Sequence, residues 1–366
     1  MSSHVPPPNA PPPGVPPQPP SWPGAAPPRE SRGVAFFVAI FLGLLLVASA
    51  GLNVLLLLLS LSSFGAAGFG DLEGVPFDEV HIAGERGSRQ RVLQVPIRGA
   101  IAEDQAPLLG AAGGTVSMVR RALRLAGSDD AILGVLLYVD SPGGGVTDSD
   151  TIHQLVAAFR AKHPQKPVMA LFGDVAASGG YYVAVAAEHI LAPRTAITGS
   201  IGVIMSAWNF AEAAKKLGVE QIAIKSERTP FKDMLSPTRP LQPEEQRMLT
   251  AIVDELYDQF VTVVDEGRPG MDREQVLAAA NGGIYTASQA LARGLIDGIG
   301  DHDDALQWFR DRLGRPLAIV EARRRPGLGE LLFGLLAPSR GADGAVAHLL
   351  THSTGPRFLY YWEGGR

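Results

Sequence analysis

Residues 134–172 read GVLLYVDSPGGGVTDSDTIHQLVAAFRAKHPQKPVMALF. This stretch opens on the apolar run Gly134–Asp140 and closes on Pro167–Phe172, each short and bounded by turn residues, as strands are. Between them Ile152, Leu155, Val156 and Phe159 recur at helical spacing, which predicts a helix over Ser149–Lys162 with one apolar face. A strand, a helix and a second strand in this order form a crossover, so the two strands run parallel in one sheet. The chain is therefore expected to be an α/β protein.

The same alternation extends on both sides. Val92–Ile97 reads as an earlier strand, and His189–Ala192, Gly202–Met205 and Glu220–Lys225 as later ones, with a helix around Asn209–Leu217. Pro243–Glu266 is a long amphipathic helix carrying Leu249, Ile252, Val253, Leu256, Phe260 and Val263 on one face. One domain over residues 90–322 accounts for these elements, and no internal repeat goes beyond the general alternation.

The flanks have another character. Of 29 prolines, 13 fall within the first 28 residues, a composition too poor in apolar surface to fold alone, so 1–33 is expected to be a disordered Pro-rich tail. Val34–Leu61 is almost unbroken apolar sequence, 28 residues against the ~20 that cross a bilayer. A single transmembrane helix over 34–62 is the expectation, although small residues at Phe64–Gly68 would also suit a cleavage site. Arg29 and Arg32 precede the span, and Asp71 and Glu73 follow it. Positive charge stays on the cytoplasmic side, so the N-terminus is expected inside and the globular part outside. A linker over 63–89 and a C-terminal extension over 323–366 complete the organisation. The extension carries Leu331–Leu336, readable as a membrane-surface segment or as a docked helix.

Composition excludes several chemistries. The 366 residues carry a net charge of −5, which argues against a nucleic-acid protein. Cysteine is absent, so disulfides, thiolate metal sites and a cysteine nucleophile are excluded. The eight histidines form no HExxH or comparable spacing, and no metal or organic cofactor is expected.

Two glycine-rich turns follow predicted strands, where α/β folds place their sites. Asp140-Ser-Pro-Gly-Gly-Gly145 is either a tight turn or an anion cradle, and it lacks the Lys-Ser/Thr of a phosphate loop. In Gly173–Tyr182, Ser178 stands among small residues at the start of a helix expected to run through Ala187. It is readable as an N-cap or as a nucleophile, with Gly179 and the first glycine turn offering N–H groups to an oxyanion. A serine nucleophile needs a base. His189 enters an apolar strand without an evident orienting aspartate, which leaves a lysine, Lys225 or Lys232.

Taken together, Asp140–Gly145, Ala177-Ser-Gly-Gly-Tyr-Tyr182, Thr198-Gly-Ser-Ile-Gly-Val203 and Phe231-Lys-Asp-Met-Leu-Ser-Pro-Thr-Arg239 resemble the signal peptide peptidase A (protease IV) family. Gly283–Ala290 and Gly294-Leu-Ile-Asp297 match its downstream pattern, and the resemblance covers roughly residues 90–320. It implies the ββα spiral of Clp proteases and crotonases, and a short, membrane-anchored serine endopeptidase that degrades released signal peptides and other hydrophobic membrane-associated peptides. By motif it implies Ser178 as nucleophile, Lys232 as general base, Ser200 as the residue orienting the lysine, and Gly144 and Gly179 as oxyanion donors. The approach Glu227–Phe231 is longer than the family's, but Lys232 keeps its Lys-Asp-x-x-Ser-Pro-x-Arg context. A ring-like homo-oligomer in the cell (inner) membrane is also implied. The alternatives are a crotonase-like acyl-CoA enzyme and an inactive membrane scaffold; retention of both Ser178 and Lys232 speaks against the scaffold.

Overall fold

A computed structural model of the chain describes residues 32–67, 77–102, 114–324 and 357–361. The chain divides into two units, one up to Leu72 and one from Glu73 onward. The first contains one helix, α1 (Arg32–Ala67), in which Phe36–Leu55 is long and apolar enough to cross a membrane. The tail up to residue 31 and the run Leu331–Leu336 lie outside the described residues.

The second unit begins with β1 (Phe77–Gly84), β2 (Arg91–Arg98), α2 (Thr115–Ser128), β3 (Ile132–Ser141), β4 (Gly143–Gly145) and α3 (Val146–Lys162). Next come β5 (Val168–Ala177), α4 (Gly179–Ala184), β6 (His189–Ala192), β7 (Ile197–Gly199), β8 (Ile204–Ser206) and α5 (Ala211–Lys216). It continues with α6 (Pro243–Gly267), α7 (Arg273–Ala279), β9 (Ile284–Thr286), α8 (Ala287–Ala292), β10 (Gly298–Ile299), α9 (His302–Leu313), β11 (Ala318–Arg324) and β12 (Arg357–Tyr361).

The expected α/β architecture is present. The main sheet runs β1-β11-β2-β3-β5-β6-β10 with β7 and β9 branching from β5, and its pairings are parallel except β1 with β11 and β9 with β7, which are antiparallel. Its central strands are buried on both faces, which is why they read as continuous apolar runs. On β5, Val168, Ala170 and Phe172 enter the core shared with α2, α3 and α6. Met169 and Leu171 point the other way, toward Phe309 of α9. The far end of β5 pairs instead with β7, Ala177 opposite Gly199, so β5 delivers its last residue beside a second strand end. A smaller sheet has the order β4-β12-β8.

Three expectations change. The segment 63–89 is not all linker, since β1 within it pairs with β11; its broken polar pattern, FDEVHIAG, hid an edge strand. The boundary at 322 cuts β11, and the extension beyond it supplies β12. Glu220–Lys225 forms no strand, and its alternating Ile222 and Ile224 are 81% and 97% exposed, with no sheet edge to receive them.

Candidate active site

The site is built where β3 and β5 end. Both glycine turns identified in the sequence lie there, and the packing shows why they must be glycine. Gly143 has φ +102, and a Cβ on it would fall 2.0 Å from the Tyr360 carbonyl oxygen and 2.7 Å from Gly179 N. The run is clamped on one edge: Ile101 N–H donates to Gly143 O (2.8 Å) and Gly145 N–H to Ile101 O (2.9 Å). Ser141 Oγ stabilises the turn by donating to Gly99 O (2.6 Å) and accepting from Gly143 N–H (3.1 Å). A Cβ on Gly179 would lie 3.2 Å from Gly144 N and 2.4 Å from Ser149 Oγ, so the two glycine turns are in intimate contact.

Ser178 sits between β5 and α4 with φ 53 and ψ −117, outside the regions a serine ordinarily occupies. Such a conformation costs about 1–3 kcal/mol and persists only where its surroundings over-determine it. Here Ser178 N–H donates to Gly199 O (2.8 Å), and Tyr182 N–H donates to Ser178 O (2.9 Å). Ser178 is 1% exposed. Ser200, one residue past that Gly199, also has positive φ (50) and is held by Ser200 N–H donating to Gly283 O (2.7 Å). The fold thus brings Ser178, Ser200, Gly144 and Gly179 into one region. The helix after Ser178 ends at Ala184, shorter than expected, because Glu188 N–H turns to Val168 O (2.8 Å) as the chain enters β6.

The lysine is not brought to them. Lys232 is exposed, and among the described residues its side chain makes no hydrogen bond or ion pair. Lys225 is different. It is ion-paired with Asp233 and donates to Pro230 O (2.6 Å). Arg239 also grips Asp233 (3.0 Å) and reaches Glu245 Oε2 at the start of α6 (2.9 Å), pinning the loop that carries Lys232. Hydrogen bonds from Arg239 and then Lys225 hold the Asp233 carboxyl well below the usual carboxylate range.

His189, read as lacking an orienting aspartate, does have one nearby. Its Nδ1 lies 3.8 Å from Asp297, and its ring stacks on Trp308 at 5.4 Å. Asp297 is committed elsewhere: it takes Arg268 in a bidentate pair (2.7 and 2.9 Å) and accepts from Ile190 N–H (2.8 Å). The Gly294–Asp297 motif is therefore an anchor between β6 and α6.

Sequence reasoning missed the wall behind Ser178. Tyr182 is fully buried, and its hydroxyl donates to Asp150 Oδ1 (2.8 Å); burial, then that carboxylate, push the phenol pKa upward. Phe260 of α6 packs against Tyr182 at 4.9 Å. Only the helical spacing of Phe260 and the Tyr181-Tyr182 doublet hinted at this, and both also read as ordinary core.

Residues 160–314 match the profile of peptidase family S49. A putative signal peptide peptidase SppA from Enterococcus faecium is 37% identical over 291 residues, 76% of this chain and 83% of that protein. A putative protease from Synechocystis is 39% identical over 221 residues, 60% of this chain and 74% of that protein. The chain belongs to peptidase family S49.

This S49 chain is a serine-type peptidase. Among solved structures it is similar to a ClpP1 mutant from Listeria monocytogenes, at 17% identity and a TM-score of 0.37, covering 58% of this chain and 92% of that one. The S49 match spans Ser178, Ser200, Lys232 and the Gly294–Asp297 anchor.

Proposed function

We propose that this chain is a membrane-anchored endopeptidase whose Ser178–Lys232 dyad hydrolyses released signal peptides and other hydrophobic membrane-associated peptides. The observation that carries the reading is the strained, buried Ser178 set against two glycine turns, with a second positive-φ serine, Ser200, on the adjoining strand end. Strain retained at two neighbouring serines is best explained by chemistry that requires their positions.

In this reading Ser178 Oγ attacks the peptide carbonyl carbon while its proton passes to neutral Lys232 Nζ, oriented by Ser200. The N–H groups of Gly144 and Gly179 stabilise the developing oxyanion. Protonated Lys232 then gives the proton to the leaving amine. Water hydrolyses the acyl-enzyme, with the lysine again as base.

A lysine serves as a base near neutral pH only when it is taken out of water. We infer that a second copy of the chain covers the Lys232 loop and completes the site in a ring-like homo-oligomer. The exposed Trp208, Phe210, Leu217, Ile222 and Ile224 on and around that loop support such a cover, since they form an apolar surface of the kind that marks interfaces. The apolar helix α1 supports anchoring in the cell membrane, and Arg29 and Arg32 ahead of its apolar stretch support a cytoplasmic N-terminus with the peptidase unit outside.

The test is covalent labelling of the detergent-solubilised full chain by a fluorophosphonate probe, comparing wild type, Ser178→Ala and Lys232→Ala. Labelling of wild type alone is expected. An unlabelled, correctly assembled wild type would overturn the proposal.

A further inference from the structure

Ser200 is seated by a turn from far along the chain. The antiparallel pairing of β7 with β9 ends at Gly199 opposite Ile284. Beyond that pair the two strands stay tied, Ser200 N–H donating to Gly283 O (2.7 Å) and Gly282 N–H to Ile201 O (3.1 Å). A serine keeps a positive φ, here 50, only where its neighbours over-determine it. Gly199, just before it, has φ +91, and a Cβ there would fall 2.6 Å from Tyr285 Cδ2 and 2.8 Å from Gly283 O. The Gly283 carbonyl is thus the point around which the Ser200 turn closes.

Gly282 and Gly283 are adjacent, and a glycine pair is a loose hinge unless something outside it fixes the backbone. The exposed Asn281 does so. Its Oδ1 accepts Gly283 N–H (2.8 Å), closing a side-chain-to-backbone turn. Its Nδ2 donates to Ala278 O (3.2 Å) in the last turn of α7. The buried Tyr285 hydroxyl supports the turn from within, donating to Ala279 O (3.0 Å) at 3.3 Å from Asn281 Oδ1. The two halves of the Asn281 amide therefore have separate roles. The oxygen fixes the backbone that holds Ser200, and the nitrogen ties the turn to α7.

We propose that Asn281 is a positioning residue of the peptidase site: through Gly283 it holds Ser200 where its hydroxyl orients the base. This rests on the reading in which Ser178 and Lys232 form the dyad and Ser200 directs the lysine amine. Asn281 acts at a distance of two hydrogen bonds, from its Oδ1 to Gly283 N–H and from Gly283 O to Ser200 N–H. Releasing the first lets the glycine hinge move, and Ser200 moves with the carbonyl that seats it. Misplacing an orienting group by about 1 Å costs on the order of a hundredfold in rate. Substrate binding does not depend on where the base points, so the loss falls on kcat and leaves KM.

The experiment measures fluorophosphonate labelling rate, and kcat and KM on a fluorogenic peptide, for the full chain in detergent, with a thermal melt of each variant. Asn281→Ala is expected to lower labelling and kcat by about tenfold to a hundredfold, with KM within about threefold of wild type. Asn281→Asp keeps an acceptor at the Oδ1 position but loses the Nδ2 donor, and should stay within about threefold of wild type in every constant. Asn281→Ser makes the same turn more weakly and should fall between. Ser200→Ala should be slow, and adding Asn281→Ala to it should cost less than about twofold more, because nothing is left to position. An Asn281→Ala chain that labels like wild type would overturn the proposal while leaving the dyad standing. So would an Asp variant as slow as the Ala variant, or an Asn281→Ala loss that persists in full beside Ser200→Ala. An unlabelled wild type, or Ser200→Ala labelled at the wild-type rate, would instead overturn the reading on which the proposal rests.

Discussion

Replacing Gly144 with alanine tests the oxyanion assignment most directly. The added Cβ would fall 1.9 Å from Ile101 O, 2.6 Å from Ile101 N and 2.7 Å from Ile101 C, all of them backbone atoms with no rotamer to yield. Ordinary contact begins at 3.4 Å, so Ile101 and β4 must separate by roughly 1.5 Å. Ile101 is tied to both neighbours of Gly144, so the glycine run moves as a unit or loses those two hydrogen bonds. Oxyanion donors act over a narrow range, about 2.7–3.1 Å, and a displacement of this size removes the Gly144 N–H from it. Losing one such donor lowers kcat by about 10²–10³, or roughly 2.7–4 kcal/mol of barrier. The assay is kcat and KM on a fluorogenic peptide, with a thermal melt to verify folding. A folded Gly144→Ala chain with kcat within about threefold of wild type would refute the assignment. Gly179→Ala is the companion, because its Cβ meets a side-chain atom, Ser149 Oγ at 2.4 Å. Adding Ser149→Ala removes that atom, so the double variant should recover most of the activity that Gly179→Ala loses.

Further outcomes follow from the charge pairs and the loop. Arg268→Ala leaves Asp297 half-buried without its bidentate partner and should destabilise the peptidase unit by about 3–5 kcal/mol in thermal or denaturant melts. Burial raises the Asp297 pKa, but the Arg268 hydrogen bonds outweigh it and the net direction is downward. That carboxylate thus contributes fully above its unfolded value near ~3.9, and the contribution is lost as pH falls through the lower folded value. Wild-type melting should accordingly fall on acidification below about pH 4, with Arg268→Ala showing a flatter acid limb. Lys232→Ala should reduce fluorophosphonate labelling by about 10²–10⁴-fold, whereas Lys225→Ala should keep most of it; the reverse result moves the base to Lys225. If the site is shared between copies, mixed and reassembled Ser178→Ala and Lys232→Ala chains should regain labelling that neither has alone. A mixture that stays silent in correctly sized oligomers would argue for a base from within the chain.

What the sequence disclosed follows from how each element is stabilised. β2, β3, β5 and α6 are specified by local apolar pattern, and that pattern is visible because these elements face the core directly. The Ser178 turn was legible because only small residues fit between the strand end and α4, so composition betrayed the geometry. β1 and β12 escaped because their pairing partners lie far along the chain and their own residues carry no clean period. The Asp297 partnership escaped for the same reason, since Arg268 lies on another element. Nor does spacing reveal that Tyr182 and Phe260 form the wall behind Ser178 rather than ordinary core, because both roles demand buried aromatics at helical positions.

The false strand at Glu220–Lys225 is informative in its own right. Its isoleucines alternate as they do in a half-buried strand, yet in a single chain both point into solvent. This uncovered apolar alternation adjoins the loop bearing Lys232, and in the proposed assembly it is surface that a second copy would cover. Ser178 and its glycines are fixed within one chain by strain and close packing, as the proposed nucleophile and oxyanion donors would require. If Lys232 is the base, as proposed, it needs the opposite arrangement, exposed while the chain is alone and dry once assembled. Coupling its desolvation to assembly would keep a lone copy from acting as an active peptidase, so activity should rise with protein concentration more steeply than in proportion to the amount of chain.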